Sequence, residues 1–163
     1  MTPEWRVRAA GEGDYEVWTP LFRGYCDFYN WPTSEEHQRQ IWHWILVDKS
    51  IEALLALEVD GVGDEIGVPR GVAHLRQWVR PLRGAVCGYL DDLFVDPEWR
   101  GTGAVEALFT EINRLALERH WAVVRWTTAV DNLWAHGAYD KIATRTSWVT
   151  YDMTPRPGAP PVP

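Results

Sequence analysis

Between residues 85 and 118 the hydrophobic period of the chain changes abruptly, and this constrains the fold more than any other feature. AVCGYLDDLFV (85–95) is apolar and aromatic over most of its length, which predicts a long strand. After DPEWRGTG the apolar residues become Val105, Leu108, Phe109, Ile112, Leu115 and Ala116, spaced for a helix that runs to about Glu118. WAVVRWTTAV (121–130) is again β-branched and aromatic and predicts a strand. A strand, a helix and a strand in that order favour a parallel pair with a right-handed crossover.

The flanking segments supply the rest of a mixed sheet. WRVRAA (5–10) predicts a short first strand, closed by the turn GEGD. From Asp14 to about Tyr29, apolar residues at three- and four-residue steps describe one wide helical face, with Pro20 marking a break or an irregular first turn. TSEE (33–36) has the spacing of a capping box in which Thr33 accepts from the backbone of Glu36, opening a second helix to about Val47. IEALLALEVDG (51–61) and GVAHLRQWV (71–79) predict paired strands around a Gly- and Asp-rich loop. RPLRG then leads to the strand at 85–95, and three strands on short connections suggest an antiparallel meander. Beyond residue 130, DNLWAHGAYDK predicts a short helix capped by Asp131 or Asn132, and TRTSWVTYDM a last strand. TPRPGAPPVP (154–163) is expected to be a disordered proline-rich tail. The expected class is therefore α/β (α+β), in a single domain over residues 1–153. Its central sheet is mixed and mostly antiparallel, with helices on both faces and a central parallel pair.

Composition narrows the partners. At 163 residues, 46% apolar and 24% charged, the chain resembles an ordinary globular domain. A formal charge of −7 argues against a nucleic-acid or anionic membrane surface and suits a cationic small molecule better. Cys26 and Cys87 lie in apolar contexts without metal or redox spacing and read as reduced core residues. The five histidines show no HExxH or comparable pattern, so no metal is expected. No secretory leader and no apolar run of roughly 18 residues is present, which gives a cytoplasmic expectation.

The turn RGTG sits where a strand ends and a helix begins. Its backbone N–H groups therefore point outward with the partial positive charge of the helix dipole behind them, an arrangement that receives phosphate. Gly101 and Gly103 allow the backbone to approach a ligand, and Arg100 can add a charged hydrogen bond. There is no GxxxxGK[ST] loop, and RGTGAV lacks the three glycines of a dinucleotide fingerprint. On pattern alone the turn is either a plain helix start or a phosphate cradle.

LDDLFVDPEWRGTGAVEAL resembles the core motif of the GNAT superfamily of acyl-CoA-dependent N-acetyltransferases, in which a strand ending in V-x-P runs into [R/Q]-x-x-G-x-[G/A]. Arg100 and Gly103 match, while Val105 replaces the final small residue. DNLWAHGAYDKIA is similar to the family's N-x-x-A-x-x-x-Y-x-K segment through Asn132, Ala135, Tyr139 and Lys141. The resemblance spans about residues 5–153 and implies a GNAT-like fold with acetyl-CoA as co-substrate. It also implies that backbone groups of Phe94 and Val95 pair with the pantetheine amides. The turn of Arg100, Gly101, Thr102, Gly103, Ala104 and Val105 would hold the pyrophosphate, with Asn132 contacting the cofactor further along. A homodimer is implied as well.

Acetyl transfer to an amine requires that an ammonium with a pKa near about 10.4 lose its proton. Asp91 and Asp92 are the candidate bases, and the two-residue period of a strand is expected to send their side chains to opposite faces. YLDDLFV is similar to the corresponding strand of the polyamine and diamine acetyltransferase branch, where the acidic residue matching Asp91 borders the amine. Tyr139 corresponds to the tyrosine that serves the departing thiolate. His74 and His136 read as structural residues or relays. Trp18, Tyr25, Tyr29 and Trp31 read as core or as an aromatic wall of the acceptor site. The expected activity is N-acetylation of a small primary amine, such as a polyamine, a diamine or an amino-acid-like amine. An aminoglycoside or other xenobiotic acetyltransferase and a non-catalytic CoA-binding module are the alternatives.

Overall fold

The computed structural model describes residues 3–155, arranged in two compact units, Met1–Thr127 and Thr128–Pro163. The first unit contains β1 (Glu4–Ala9), α1 (Tyr15–Phe28), α2 (Glu35–Leu46), β2 (Glu52–Val59), β3 (Glu65–Arg80), β4 (Ala85–Val95), α3 (Ala104–Glu118) and β5 (Val124–Arg125). The strands form one sheet in sequence order, antiparallel from β1 to β4 and parallel between β4 and β5. The mixed sheet and the parallel crossover pair expected from the sequence are both present.

The sheet carries an apolar layer on each face. Leu55, Leu57, Val72 and Phe94 join Trp18, Leu21 and Phe22 of α1 and Ile45 of α2 in one core cluster. Leu54, Ala56, Ala73, Leu75, Leu90 and Val95 join Ala104, Leu108, Ile112 and Leu115 of α3 in the other. Neighbouring residues of β2 thus enter opposite cores, which is why ALLAL is buried without a polar break.

Several boundaries depart from the sequence expectations for physical reasons. Pro20 neither breaks α1 nor disturbs its first turn. It lies on the exposed face with Glu16, whose carbonyl it leaves without a helical donor, while Trp18, Leu21 and Phe22 hold the buried face. The cap of α2 is Ser34 rather than Thr33: the Ser34 hydroxyl accepts from the His37 amide at 3.1 Å, and the Thr33 hydroxyl lies 3.1 Å from His37 Nδ1. β3 begins at Glu65, because EIGVPR extends the ladder onto Glu58 and Val59 past a register shift after Ala56. β5 is two residues long instead of ten, pairing only Val124 with Gly88 and Arg125 with Tyr89.

The second unit contains α4 (Leu133–Tyr139), capped by Asn132, whose side-chain oxygen accepts from the Ala135 amide at 3.3 Å. The strand expected over TRTSWVTYDM is absent: residues 144–153 form no ladder, and Trp148, Val149 and Tyr151 are exposed. β-propensity is realised through cross-strand pairing, and this segment has no paired neighbour. The expected tail at 154–163 lies almost wholly outside the described residues. Among the described residues no helix is long and apolar enough to cross a membrane.

Trp121 sets where β5 meets β4. Its ring lies against Gly88, where an added Cβ would come within 2.2 Å of the indole. Gly88→Ala is therefore expected to cost about 1–3 kcal/mol by overpacking, measured as a lowered denaturant midpoint at unchanged slope.

Candidate active site

β4 pairs with β3 along its whole length, but the register slips once. His74 opposes Asp92 and Leu75 opposes Leu90, so Asp91 is an extra residue, a β-bulge. The bulge resets the alternation of side chains. Leu90 and Leu93 pack with the α3 core and Phe94 with the α1 core. Asp92 meets His74, and Asp91 meets Arg76 two residues further along β3. Both carboxylates consequently lie on the α1 face of the sheet. The opposite-face arrangement expected from a two-residue period does not occur, because that period holds only for an unbulged strand.

Asp92 ends a buried hydrogen-bond chain. The Trp18 indole N–H donates to His74 Nε2 at 2.9 Å, and His74 Nδ1 lies 2.7 Å from Asp92 Oδ2. An indole can only donate, so Nε2 must accept and the imidazole proton sits on Nδ1, from which it donates to Asp92. Trp18 and His74 are 0% and 1% exposed, which places Trp18 in the core rather than on an acceptor wall. Tyr29 and Trp31 are exposed, and Tyr25 hydrogen-bonds to Asp92.

The two neighbouring carboxyls are driven apart electrostatically. Burial pushes Asp91 above the ordinary carboxylate value, outweighing the charge and hydrogen bond of Arg76, whose Nε donates at 2.9 Å. Burial also raises Asp92, but the hydrogen bonds that it accepts from His74 and Tyr25 together bring it below that value. Asp92 is thus a fixed anion, and Asp91 the more basic partner. Environments that push adjacent titratable groups apart are what acid–base chemistry uses.

β5 leaves β4 after Tyr89, so the edge of β4 from Leu90 to Val95 carries no β5 partner. Backbone groups of Phe94 and Val95 lie on this stretch. The Val95 carbonyl accepts from Arg100 Nε at 3.2 Å, and the Arg100 guanidinium lies over the Phe28 and Phe94 rings. Arg100 thus folds back along the strand end. Asp96 starts a single 3-10 turn over Pro97–Trp99, the Thr102 hydroxyl donates to the Trp99 carbonyl at 2.6 Å, and the Trp5 indole donates to the Thr102 carbonyl at 2.9 Å. Gly101 and Gly103 take φ of 77° and 101°, where an L side chain is strained. Gly103 caps α3 without any side chain, which leaves the first N–H groups of the helix without a side-chain acceptor. Ala104 is buried, and Val105 packs against the α3 core, so its extra bulk is taken up there. These features suit the diphosphate and amide chain of coenzyme A: donors at a helix start, glycine where a Cβ would strain, and an open strand edge.

In the second unit Tyr139 ends α4, Asn132 is committed to its cap, and His136 Nε2 lies 3.0 Å from the Ala129 carbonyl, a local structural contact. Cys26 and Cys87 are both free and buried. Among the described residues no group of three His, Cys, Asp or Glu side chains could hold a metal ion. His74 is only weakly marked in the sequence and Arg76 not at all, because their importance follows from the bulge.

A mixed five-stranded sheet with a released β4 edge thus runs into a glycine turn at a helix start. The family model of the acetyltransferase (GNAT) family matches residues 18–143, and the chain belongs to that family. It is an acetyl-CoA-dependent N-acetyltransferase. Among solved structures, a probable acetyltransferase is similar at 25% identity and TM-score 0.80, over 93% of this chain and 98% of that one. The ribosomal-protein-alanine N-acetyltransferase of Brucella melitensis biovar Abortus 2308 is similar at 22% identity and TM-score 0.74, over 93% and 99%. An aminoglycoside N-acetyltransferase in complex with CoA is similar at 14% identity and TM-score 0.78, over 96% and 97%. No curated protein matches the chain in sequence.

Asp92→Asn removes the anion that His74 and Tyr25 hold, at an expected cost of about 2 kcal/mol at neutral pH. Because the folded-state value of Asp92 is depressed, the stability it supplies is complete above its ordinary value of 3.8 and is lost as pH falls through the depressed one. The gap between the urea midpoints of wild type and variant should therefore stay constant from pH 7 down to about pH 4 and begin to close only below 3.8.

Proposed function

We propose that the protein acetylates a primary amine of a small molecule, with Asp91 as the group that receives the ammonium proton, directly or through one water. The observation that carries this reading is the bulge at Asp91, which brings two carboxylates onto one sheet face where β4 loses its β5 partner. Asp92, held ionised by His74 and Tyr25, attracts and orients the ammonium. Asp91, raised by burial, takes the proton.

Acetyl-CoA supplies the acetyl group on a thioester. The backbone edge of Phe94 and Val95 is assigned to its amide chain, the N–H groups of the Arg100–Val105 turn to its diphosphate, and Asn132 to a further contact. Tyr139 is assigned to the departing sulfur. Full transfer of its proton to a thiolate would be uphill by roughly 2 kcal/mol from ordinary phenol and thiol values, so its role is a hydrogen bond to the developing charge. Residues 1–153 are taken to act as one domain, in the cytoplasm and as a homodimer.

A second reading, an aminoglycoside or other xenobiotic acceptor, draws on the fold likeness to aminoglycoside N-acetyltransferases. Calorimetric titration with acetyl-CoA, followed by thiol release over a panel of amines that includes an aminoglycoside, separates the two. Turnover confined to the aminoglycoside supports the second reading, and binding without turnover of any amine defeats both.

For the transferase, Asp91→Asn is expected to lower kcat/KM by about 10²-fold or more. The wild-type profile should rise with pH through an ionisation of the free enzyme above the ordinary aspartate value of 3.8, and the variant should lack that limb. Tyr139→Phe should lower kcat while acetyl-CoA affinity by titration stays within about twofold. An unchanged kcat removes Tyr139 from the mechanism.

A further inference from the structure

The sheet face that carries Asp91 and Asp92 continues into a strip of cations and rings. Two and four residues beyond Arg76, β3 presents Trp78 and Arg80 on the same side, and β4 presents Tyr89. The Arg76 guanidinium lies 4.6 Å from the centre of the Tyr89 ring. Those of Arg125 and Arg80 lie 5.3 Å and 5.8 Å from the centre of the Trp78 ring. The two rings meet edge to face at 6.3 Å, and the Trp78 indole donates to the Gly88 carbonyl at 3.2 Å, which fixes the platform. All five side chains are partly exposed.

The charges on this strip are unbalanced. Arg76 is neutralised by Asp91, but among the described residues neither Arg80 nor Arg125 forms an ion pair. Two uncompensated guanidiniums on one tryptophan are conspicuous in a chain of net charge −7. Arg125 sits on the last β4–β5 pair, opposite Tyr89, two residues and roughly 6–7 Å along β4 from Asp91. Carboxylates and guanidiniums are therefore offered in sequence along one face. Guanidiniums held on ring faces are preorganised for a planar anion and repel a second ammonium.

We propose that Arg80 and Arg125, seated on Trp78, form a second acceptor subsite that takes a carboxylate, so that the acceptor is an amine bearing a carboxylate several bonds from the reacting nitrogen. The inference rests on the reading that Asp91 and Asp92 border that nitrogen. It selects the amino-acid-like class over polyamines, diamines and polycationic antibiotics, despite the acidic net charge of the chain.

The test is thiol release from acetyl-CoA with amines of two to six carbons, each length in three forms: ω-amino acid, plain alkylamine and diamine. At four carbons these are 4-aminobutyrate, butylamine and putrescine. The expected result is a kcat/KM at least about tenfold higher for the amino acid than for the alkylamine of the best length, with the diamine lowest. The preference should shrink at high salt. Arg125→Gln and Arg80→Gln should collapse that ratio, and Arg125→Lys should retain part of it, with folding checked by Tm and by acetyl-CoA titration. Diamines or alkylamines used as well as the amino acids, or a preference that survives the double Gln variant, overturn this inference and leave the transferase reading standing. Acetyl-CoA binding without turnover of any amine defeats that reading, and this inference with it.

Discussion

Everything distinctive about the site follows from β4 being held on one edge and released on the other. β3 pairs with it from Ala85 to Val95, whereas β5 pairs with it only at Gly88 and Tyr89. The held edge gives rigidity, since both faces of β4 enter a core. The released edge leaves backbone donors and acceptors without a strand partner, and such groups recruit an extended ligand in the way an edge strand recruits a peptide.

The bulge at Asp91 is the second consequence of this strand's position. Between Leu90, which must enter the α3 core, and Phe94, which must enter the α1 core, a regular strand would place three residues and put the two on the same face. The inserted residue shifts the phase, so both apolar anchors are buried correctly and the polar pair between them is turned to one side. Packing and chemistry are thereby coupled: the slip that satisfies two cores also assembles two carboxylates with different affinities for a proton. Trp18 extends this coupling into the core, because its indole dictates the tautomer of His74 and hence the donor that faces Asp92.

Much of the architecture was legible in the chain itself. The helical faces of α1 and α3, the meander and the crossover are written in apolar spacing, and the glycine turn is written in residue type. The misplaced features are those decided by neighbours. Pro20 was tolerated because it faces water. The cap moved from Thr33 to Ser34 because two hydroxyl residues stand side by side, and β5 shrank because its β-branched pattern describes propensity rather than pairing. TRTSWVTYDM has the composition of a strand and no ladder. In the candidate site, Asp91, Asp92 and the turn were readable as residue types, whereas Arg76, Arg80 and Arg125 look in the sequence like ordinary surface cations.

By itself the sequence determined the order of elements, the two apolar layers and the motif that places the chain among acetyl-CoA-dependent N-acetyltransferases, because period and glycine placement are local properties. Only the tertiary structure decided which face each aspartate occupies, which tautomer His74 holds and which arginines stand unpaired. Each of those depends on strand register or on packing between elements, and both are set by how the two cores fill.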